Sequence, residues 1–334
     1  MFTTDTSDHD LAKLFALTPD QWASHSPLQK IHYEPFEQAG VSLKLKREDL
    51  LHPKLSGNKL YKLFGHLQQA KRLGATGLVS FGGPFSNHLH ALAYAGEALG
   101  FTTTAIVRGH HPKKLSPTLI DCRARGMSLE FVSRVDYREK KAEVLNRCPI
   151  QRLEGSSYWI PEGGGALEGT AGCGDIVTGI RSQLGDRDNK ALSVCLPVGT
   201  GTTAAGILSR LQPNESLFGY SALKFGDGLS SVESDIRRLS HNSEAHWELF
   251  DEVNFGGFAK TQDYLFDYMA NFTRATGILL EPLYTAKMLY SVEQQLHQGR
   301  WKRGDQLIMI HTGGLQGRRG YAQLTSETQM TGTR

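Results

Sequence analysis

The chain has 334 residues, enough for two domains or one large one, and its 39% hydrophobic and 21% charged residues exclude the disordered, collagenous and fibrous classes. With 37 Lys and Arg against 34 Asp and Glu the formal net charge is +3, too small and too dispersed for a nucleic-acid-binding surface. The densest basic group, Arg138 to Lys141, is interrupted by Glu139 and reads as a solvated helix face. Met1 to Asp10 is polar and acidic where a secretory leader needs a basic start and an apolar stretch. Every apolar run is cut by Gly, Pro or charge before it reaches the roughly 18 residues of a membrane span. Cys122, Cys148, Cys173 and Cys195 are widely spaced with no C-x-x-C pair, which points to free thiols rather than a zinc or redox motif. A cytoplasmic protein with no membrane and no nucleic-acid partner is expected.

The 36 glycines punctuate short apolar runs that lead into helical patterns. A helix is predicted around Leu60, and Val41 to Leu45 is expected to meet the segment after Tyr158 where two modules join. Leu78 to Phe81 is a β-like run entering Gly82-Gly83-Pro84, after which Ser86 opens a pattern with Leu89, Leu92, Ala93 and Leu99 at helical spacing. Phe101 to Val107 is a β-branched run ending at Gly109. Leu192 to Val198 ends in Gly199-Thr200-Gly201-Thr202-Thr203 before a small-residue helix, Ala204 to Leu211, and Gln306 to Ile310 ends in His311-Thr312-Gly313-Gly314. Strands alternating with helices predict an α/β fold of βαβ units, with mostly parallel sheets and ligands at the carboxyl ends of the strands. No internal repeat is visible, so a solenoid is excluded. A small module over residues 46–154, inserted in a large one formed by 1–45 and 155–334, is the expected division.

Four segments carry chemistry. In Ser56-Gly57-Asn58-Lys59-Leu60-Tyr61-Lys62 a lysine sits just inside a helix; its amine could form a Schiff base with an aldehyde if desolvation or a neighbouring cation such as Lys62 lowered its pKa. An Asn58 cap followed by surface lysines explains the same letters. In Ser80-Phe81-Gly82-Gly83-Pro84-Phe85-Ser86-Asn87-His88 a glycine turn leads to a helix start that could bind a carboxylate or could simply be capped by Ser86 and Asn87. His88 and His90 stand at i, i+2, on different helix faces and without a third ligand, so no metal is expected. Gly199 to Thr203 can bring consecutive N–H groups and threonine hydroxyls to a phosphate. The loop lacks the Gly-Lys-Ser/Thr ending of a P-loop, and the chain lacks the acidic residue that a nicotinamide site places about twenty residues on. Last, Glu281-Pro282-Leu283-Tyr284-Thr285 presents a tyrosine on a turn, and Thr312 ends a strand beside two glycines.

In this order and at these separations the four segments resemble the fold-type II pyridoxal-phosphate enzymes. More narrowly, they are similar to the group of 1-aminocyclopropane-1-carboxylate (ACC) deaminase and D-cysteine desulfhydrase, over about Leu28 to Gly317. The resemblance rests on Gly57-Asn58-Lys59, Ser86-Asn87-His88, Gly199-Thr200-Gly201-Thr202 and Glu281-Pro282-Leu283-Tyr284. It implies a two-domain, tryptophan-synthase-β-like fold with pyridoxal 5'-phosphate in the interdomain cleft, and commonly a homodimer. It also implies roles. Lys59 would hold the cofactor through its amine and then act as base. Asn87 would bond the cofactor's phenolic oxygen, and Gly199, Thr200, Gly201, Thr202 and Thr203 would cradle its phosphate. Ser86, with the N–H groups of Asn87 and His88, would bind the substrate carboxylate, and Tyr284 would face the reacting carbons.

Two departures bear on the reaction. ACC deaminases have a glutamate against the pyridine nitrogen where this chain has Thr285, with Thr312 as a second hydroxyl nearby; a hydroxyl makes the cofactor a weaker electron sink and suits elimination of a good leaving group. In Asn254-Phe255-Gly256-Gly257, Phe255 replaces a substrate-facing tyrosine and has no proton to give. The expected function is therefore α,β-elimination on a small amino acid, first D-cysteine to pyruvate, ammonia and sulfide. ACC deamination to 2-oxobutanoate and ammonia is the alternative, and a non-catalytic cofactor- or amino-acid-binding protein is the rival of another class.

Overall fold

The computed structural model describes residues 8–55, 57–139, 156–184, 191–224, 226, 228–241, 243–252, 255–257 and 260–324. Ten strands form two sheets. They are β1 (Leu28–Ile31), β2 (Ser42–Arg47), β3 (Gly77–Gly82), β4 (Thr102–Arg108), β5 (Ser128–Val132), β6 (Ser157–Ile160), β7 (Ser193–Val198), β8 (Ser216–Ser221), β9 (His246–Phe250) and β10 (Gln306–His311). The larger sheet has the order β1-β2-β10-β7-β8-β9 and is parallel except for the β1–β2 pair; the smaller, β5-β4-β3-β6, is parallel throughout.

Alternation along the strands explains why helices cover both faces. In β10, Ile308 and Ile310 enter a core shared with Leu196 of β7 and the helix Thr202–Leu208, whereas Leu307 and Met309 face the helices Asp263–Thr276 and Thr285–His297. In the smaller sheet Leu78, Ala105 and Val107 join the same core as Ile308, while Val79, Phe81 and Ile106 pack with Tyr137 on the other side. The central core thus runs without a break from one sheet to the other.

The helix Asn58–Arg72 crosses this core. It buries Leu60, Tyr61, Leu63, Leu67 and Ala70 along one stripe, with Trp22 edge-on to Tyr61 at 5.6 Å and to Phe64 at 5.5 Å.

β6 corrects the expected module boundary. It pairs with β3 from Gly77↔Ser157 to Ser80↔Ile160, so the smaller sheet takes in a strand that lies beyond residue 154. Its four residues make a weak strand signal alone; the pairing comes from the free edge of β3. Cys122, Cys173 and Cys195 are buried free thiols. Cys148, Lys140 and Lys141 lie outside the described residues.

Candidate active site

The carboxyl ends of β3, β7 and β10 and the start of the helix Asn58–Arg72 surround a cavity of about 370 Å³. It is lined by Lys59, Ser86, Asn87, His88, Gly199, Thr200, Gly201, Thr203, Tyr284 and Thr312, residues that stand far apart in the chain.

Lys59 enters because of Gly57. That glycine holds φ at +74°, and a Cβ there would stand 1.9 Å from the Thr312 carbonyl oxygen, so only glycine lets the helix start so close to the end of β10. Gly57, not Asn58, occupies the cap position; Asn58 instead donates from Nδ2 to Thr203 Oγ1 at 2.9 Å. Burial, and then the Lys62 ammonium one turn on, hold the Lys59 amine well below the ordinary lysine range. The neutral, nucleophilic amine is thereby favoured. Lys62 is buried too, and its Nζ lies 3.4 Å from Thr200 Oγ1.

On the opposite wall, Ser86 caps the helix Asn87–Leu99, accepting the Leu89 N–H at 3.2 Å, and it also faces the cavity. The capping role is therefore present, and it leaves the same helix start at the cavity wall. His88 is buried, with Nε2 2.8 Å from Ser80 Oγ. Because the Ser80 hydroxyl donates to the Ile160 carbonyl at 2.8 Å, His88 Nε2 is the donor of the pair. Burial pushes the imidazole well below its usual pKa, so His88 is neutral, with an unprotonated Nδ1 that has no partner among the described residues. His90 turns elsewhere, its Nε2 3.2 Å from Asp121 Oδ2 and its ring 4.8 Å from that of Tyr94.

The loop after β7 runs through Gly199 and Thr200 to Gly201, whose φ of +76° starts the helix Thr202–Leu208. Thr202 does not line the cavity: it is buried behind the loop, with Oγ1 3.1 Å from that of Thr200. The Glu281-Pro282 turn also acquires a physical reason. The buried Glu281 carboxylate accepts the backbone N–H groups of Leu283 at 2.8 Å, Tyr284 at 2.8 Å and Thr285 at 2.5 Å, which caps the helix Thr285–His297 and sets Tyr284 against Gly199. Burial, reinforced by the Glu281 charge, raises the Tyr284 phenol, which stays protonated at neutral pH.

Thr285 and Phe255 are not among the lining residues. Thr285 is fully buried and its Oγ1 has no partner among the described residues. Phe255, at φ +56°, packs 5.5 Å from Tyr264 and 5.8 Å from Tyr290, ring centre to ring centre, an aromatic cluster that draws its side chain away from the cavity.

Arg108 at the end of β4 and Glu162 after β6 also line the cavity, and neither was singled out from the sequence. Arg108 closes a β-run like any strand-end residue; the only signal near Glu162 was the following Gly163-Gly164-Gly165 triplet.

A pyridoxal-phosphate group fits this set of residues on chemical grounds. The cavity offers a lysine amine whose pKa burial lowers, a glycine and threonine loop at a helix start, and a buried lysine beside that loop.

The comparisons agree. The family model described as pyridoxal-phosphate dependent enzyme matches residues 22–313. The chain is 26% identical to the mitochondrial bifunctional D-cysteine desulfhydrase/1-aminocyclopropane-1-carboxylate deaminase of Arabidopsis thaliana, with 90% of this chain and 82% of that protein covered. Among solved structures, an ACC deaminase homologue shares the fold with a TM-score of 0.75 at 24% identity, over 90% of this chain and 93% of the other. A hydrogen sulfide-producing enzyme of Fusobacterium nucleatum does so at 0.63 and 15%, over 89% and 95%. The chain belongs to the family of pyridoxal-phosphate-dependent enzymes, with the fold-type II architecture of two largely parallel sheets.

Proposed function

We propose that this enzyme catalyses α,β-elimination from a small amino acid, with D-cysteine giving pyruvate, ammonia and sulfide as the leading case. The cofactor, when bound, supplies the electron sink that acidifies the Cα proton. Lys59 holds it and, once its amine is free, takes the proton from Cα. Asn87 bonds the phenolic oxygen, and the Gly199 to Thr203 loop with Lys62 holds the phosphate. Ser86 and the N–H groups of Asn87 and His88 receive the substrate carboxylate, which keeps Cα over Lys59. Tyr284, protonated, donates to the departing group.

The observation that carries elimination over ring opening is Thr285. By the resemblance to ACC deaminases this position takes the place of a carboxylate that keeps the pyridine nitrogen protonated; the Thr285 hydroxyl, buried and without a partner among the described residues, cannot do so, which leaves the sink weaker. ACC deamination is the second reading, supported by the bifunctional relative, although Phe255 packs among Tyr264 and Tyr290 instead of offering a second phenol at the cavity.

A cytoplasmic location, supported by the buried free thiols Cys122, Cys173 and Cys195, and the homodimer that the resemblance implies complete the proposal.

The test is to record the absorbance of the purified protein and add D-cysteine, L-cysteine, D-serine and ACC separately while assaying keto acid and sulfide. Pyruvate with sulfide from D-cysteine is the expected result, and Lys59→Ala should lower turnover by about three orders of magnitude or more. A Lys59→Ala enzyme as active as the wild type would overturn the assignment.

A further inference from the structure

Arg108 lines the cavity beside the Gly82-Gly83-Pro84 turn, where a Cβ added at Gly83 would stand 3.4 Å from Nη2 of the guanidinium. That guanidinium has no hydrogen bond or ion pair among the described residues; its neighbour is the Tyr137 ring, 5.7 Å from Cζ to ring centre. A second hollow adjoins the cavity at this point, walled by Arg108, Arg134, Tyr137, Arg138 and Glu162. Arg134 and Arg138 are exposed and equally unpaired among the described residues. Glu162 is the one carboxylate in that wall, and it accepts the Tyr137 hydroxyl at 2.7 Å. Three guanidiniums against one carboxylate make the entrance positive, which raises the local concentration of anions.

A neutral amino acid gives this entrance nothing to hold, because its single carboxylate is taken up at the start of the helix Asn87–Leu99. We propose that the same elimination also accepts, and binds more tightly than a neutral amino acid, a substrate that carries a second anion, a tetrahedral oxyanion on Cβ such as a sulfonate or phosphate ester, and that Arg108 pairs with it while Arg134 and Arg138 draw it in. A planar guanidinium matches such a group through two parallel N–H donors. The inference rests on the elimination reading of the same cavity. In that reaction the Cα proton goes to Lys59 and the bond from Cβ to sulfur or oxygen breaks, its electron pair leaving with sulfite or phosphate. Water then converts the remaining enamine carbon skeleton to pyruvate and ammonium.

The test uses the holoenzyme, titrated with 3-sulfoalanine, O-phosphoserine, serine (each as both enantiomers) and D-cysteine. Cofactor absorbance reports affinity and keto acid reports turnover. At least one anionic amino acid should bind about 30-fold more tightly than serine of the same configuration, the change expected of one charge-assisted pair. Which of the two binds separates sulfonate from phosphate. In Arg108→Gln that ratio should fall close to one, and Arg108→Lys should keep part of it. Equal affinities in the wild type overturn the inference, as does an Arg108→Gln enzyme in which serine and the anionic amino acid weaken by the same factor, the signature of an α-carboxylate receptor. Keto acid from D-cysteine with no preference for an anionic side chain overturns this inference and leaves the elimination reading standing. No keto acid from any of these compounds overturns both.

Discussion

Gln316 donates its side-chain N–H to Asn87 Oδ1 at 2.9 Å, which fixes the Asn87 amide with its Nδ2 as the end free to donate. The same amide leaves no space at Gly314, where a Cβ would stand 2.5 Å from Nδ2. Orientation of a group that lines the cavity thus depends on a residue from the far end of the chain.

Gln316→Leu removes that donor and should weaken binding of pyridoxal 5'-phosphate by about 10-fold, the scale of one neutral hydrogen bond, with a shift of the bound cofactor's visible absorbance. Gln316→Glu should cost more, because a carboxylate there faces Asn87 Oδ1 and drives the amide to turn over. Titration of the apo-enzyme with cofactor measures both; a dissociation constant and spectrum unchanged in both variants would show that Asn87 is held by other means.

Gly57→Ala tests the helix start. The φ of +74° and the 1.9 Å approach of its would-be Cβ to the Thr312 carbonyl oxygen leave no room for a methyl group. Destabilisation of about 3 kcal/mol or more is expected, from backbone strain and overpacking together. Thermal melts of the two proteins measure it, and equal midpoints would contradict the geometry.

The parts of the site that were legible in the sequence are those whose chemistry needs a local pattern. Consecutive small residues between a strand and a helix are a local pattern, so Gly199 to Thr203 could be read as a candidate phosphate loop, and Lys59 stood out because a glycine and a helix start surround it. Phe255 was misplaced for the opposite reason: its partners Tyr264 and Tyr290 lie on separate helices, and nothing in the tetrapeptide Asn254 to Gly257 reveals them. Arg108, Glu162 and Gln316 were missed because each acquires meaning only when strand ends from different sheets meet. Short β6 was assigned to the wrong module by the same blindness to pairing.

Lys46 and Glu48 form a fully buried pair, Nζ to Oε1 3.7 Å, that joins β2 to the helix carrying Lys59. Glu48 also accepts from Ser26 Oγ at 2.8 Å and from Tyr61 Oη at 2.7 Å, and Lys46 donates to the carbonyls of Ala23 and Ser26. Lys46→Met leaves the carboxylate buried without its counter-charge and should cost about 3–5 kcal/mol, as should Glu48→Gln for the ammonium. The double variant should lose less than the sum of the two. Denaturant unfolding of the four proteins gives the coupling, and strict additivity would mean that the two charges do not interact.

Lys287 gives stability a pH dependence of defined sign. Its side chain is 2% exposed, Nζ donates to the Gly257 carbonyl at 2.8 Å, and the Phe255 ring lies 5.7 Å away. Burial pulls the ammonium down to about 8, against the partial opposition of Glu281, while in the unfolded chain it titrates at the ordinary lysine value of 10.5. Between these two values the unfolded chain binds more protons, so stability rises with pH by at most about 1.4 kcal/mol per unit for this one group. Below about pH 8 both states are protonated and the cost of burying the charge is fully present. Lys287→Met removes the titration and keeps most of the volume. The stability of the wild type relative to Lys287→Met should therefore be flat from about pH 6 to 7 and climb in the wild type's favour from about pH 8 to 10. Urea unfolding of both proteins across that range measures the difference, in which the titrations of Lys59 and Lys62 cancel. A difference that stays level through the upper window, or falls, would show that Lys287 keeps an ordinary pKa in the folded protein.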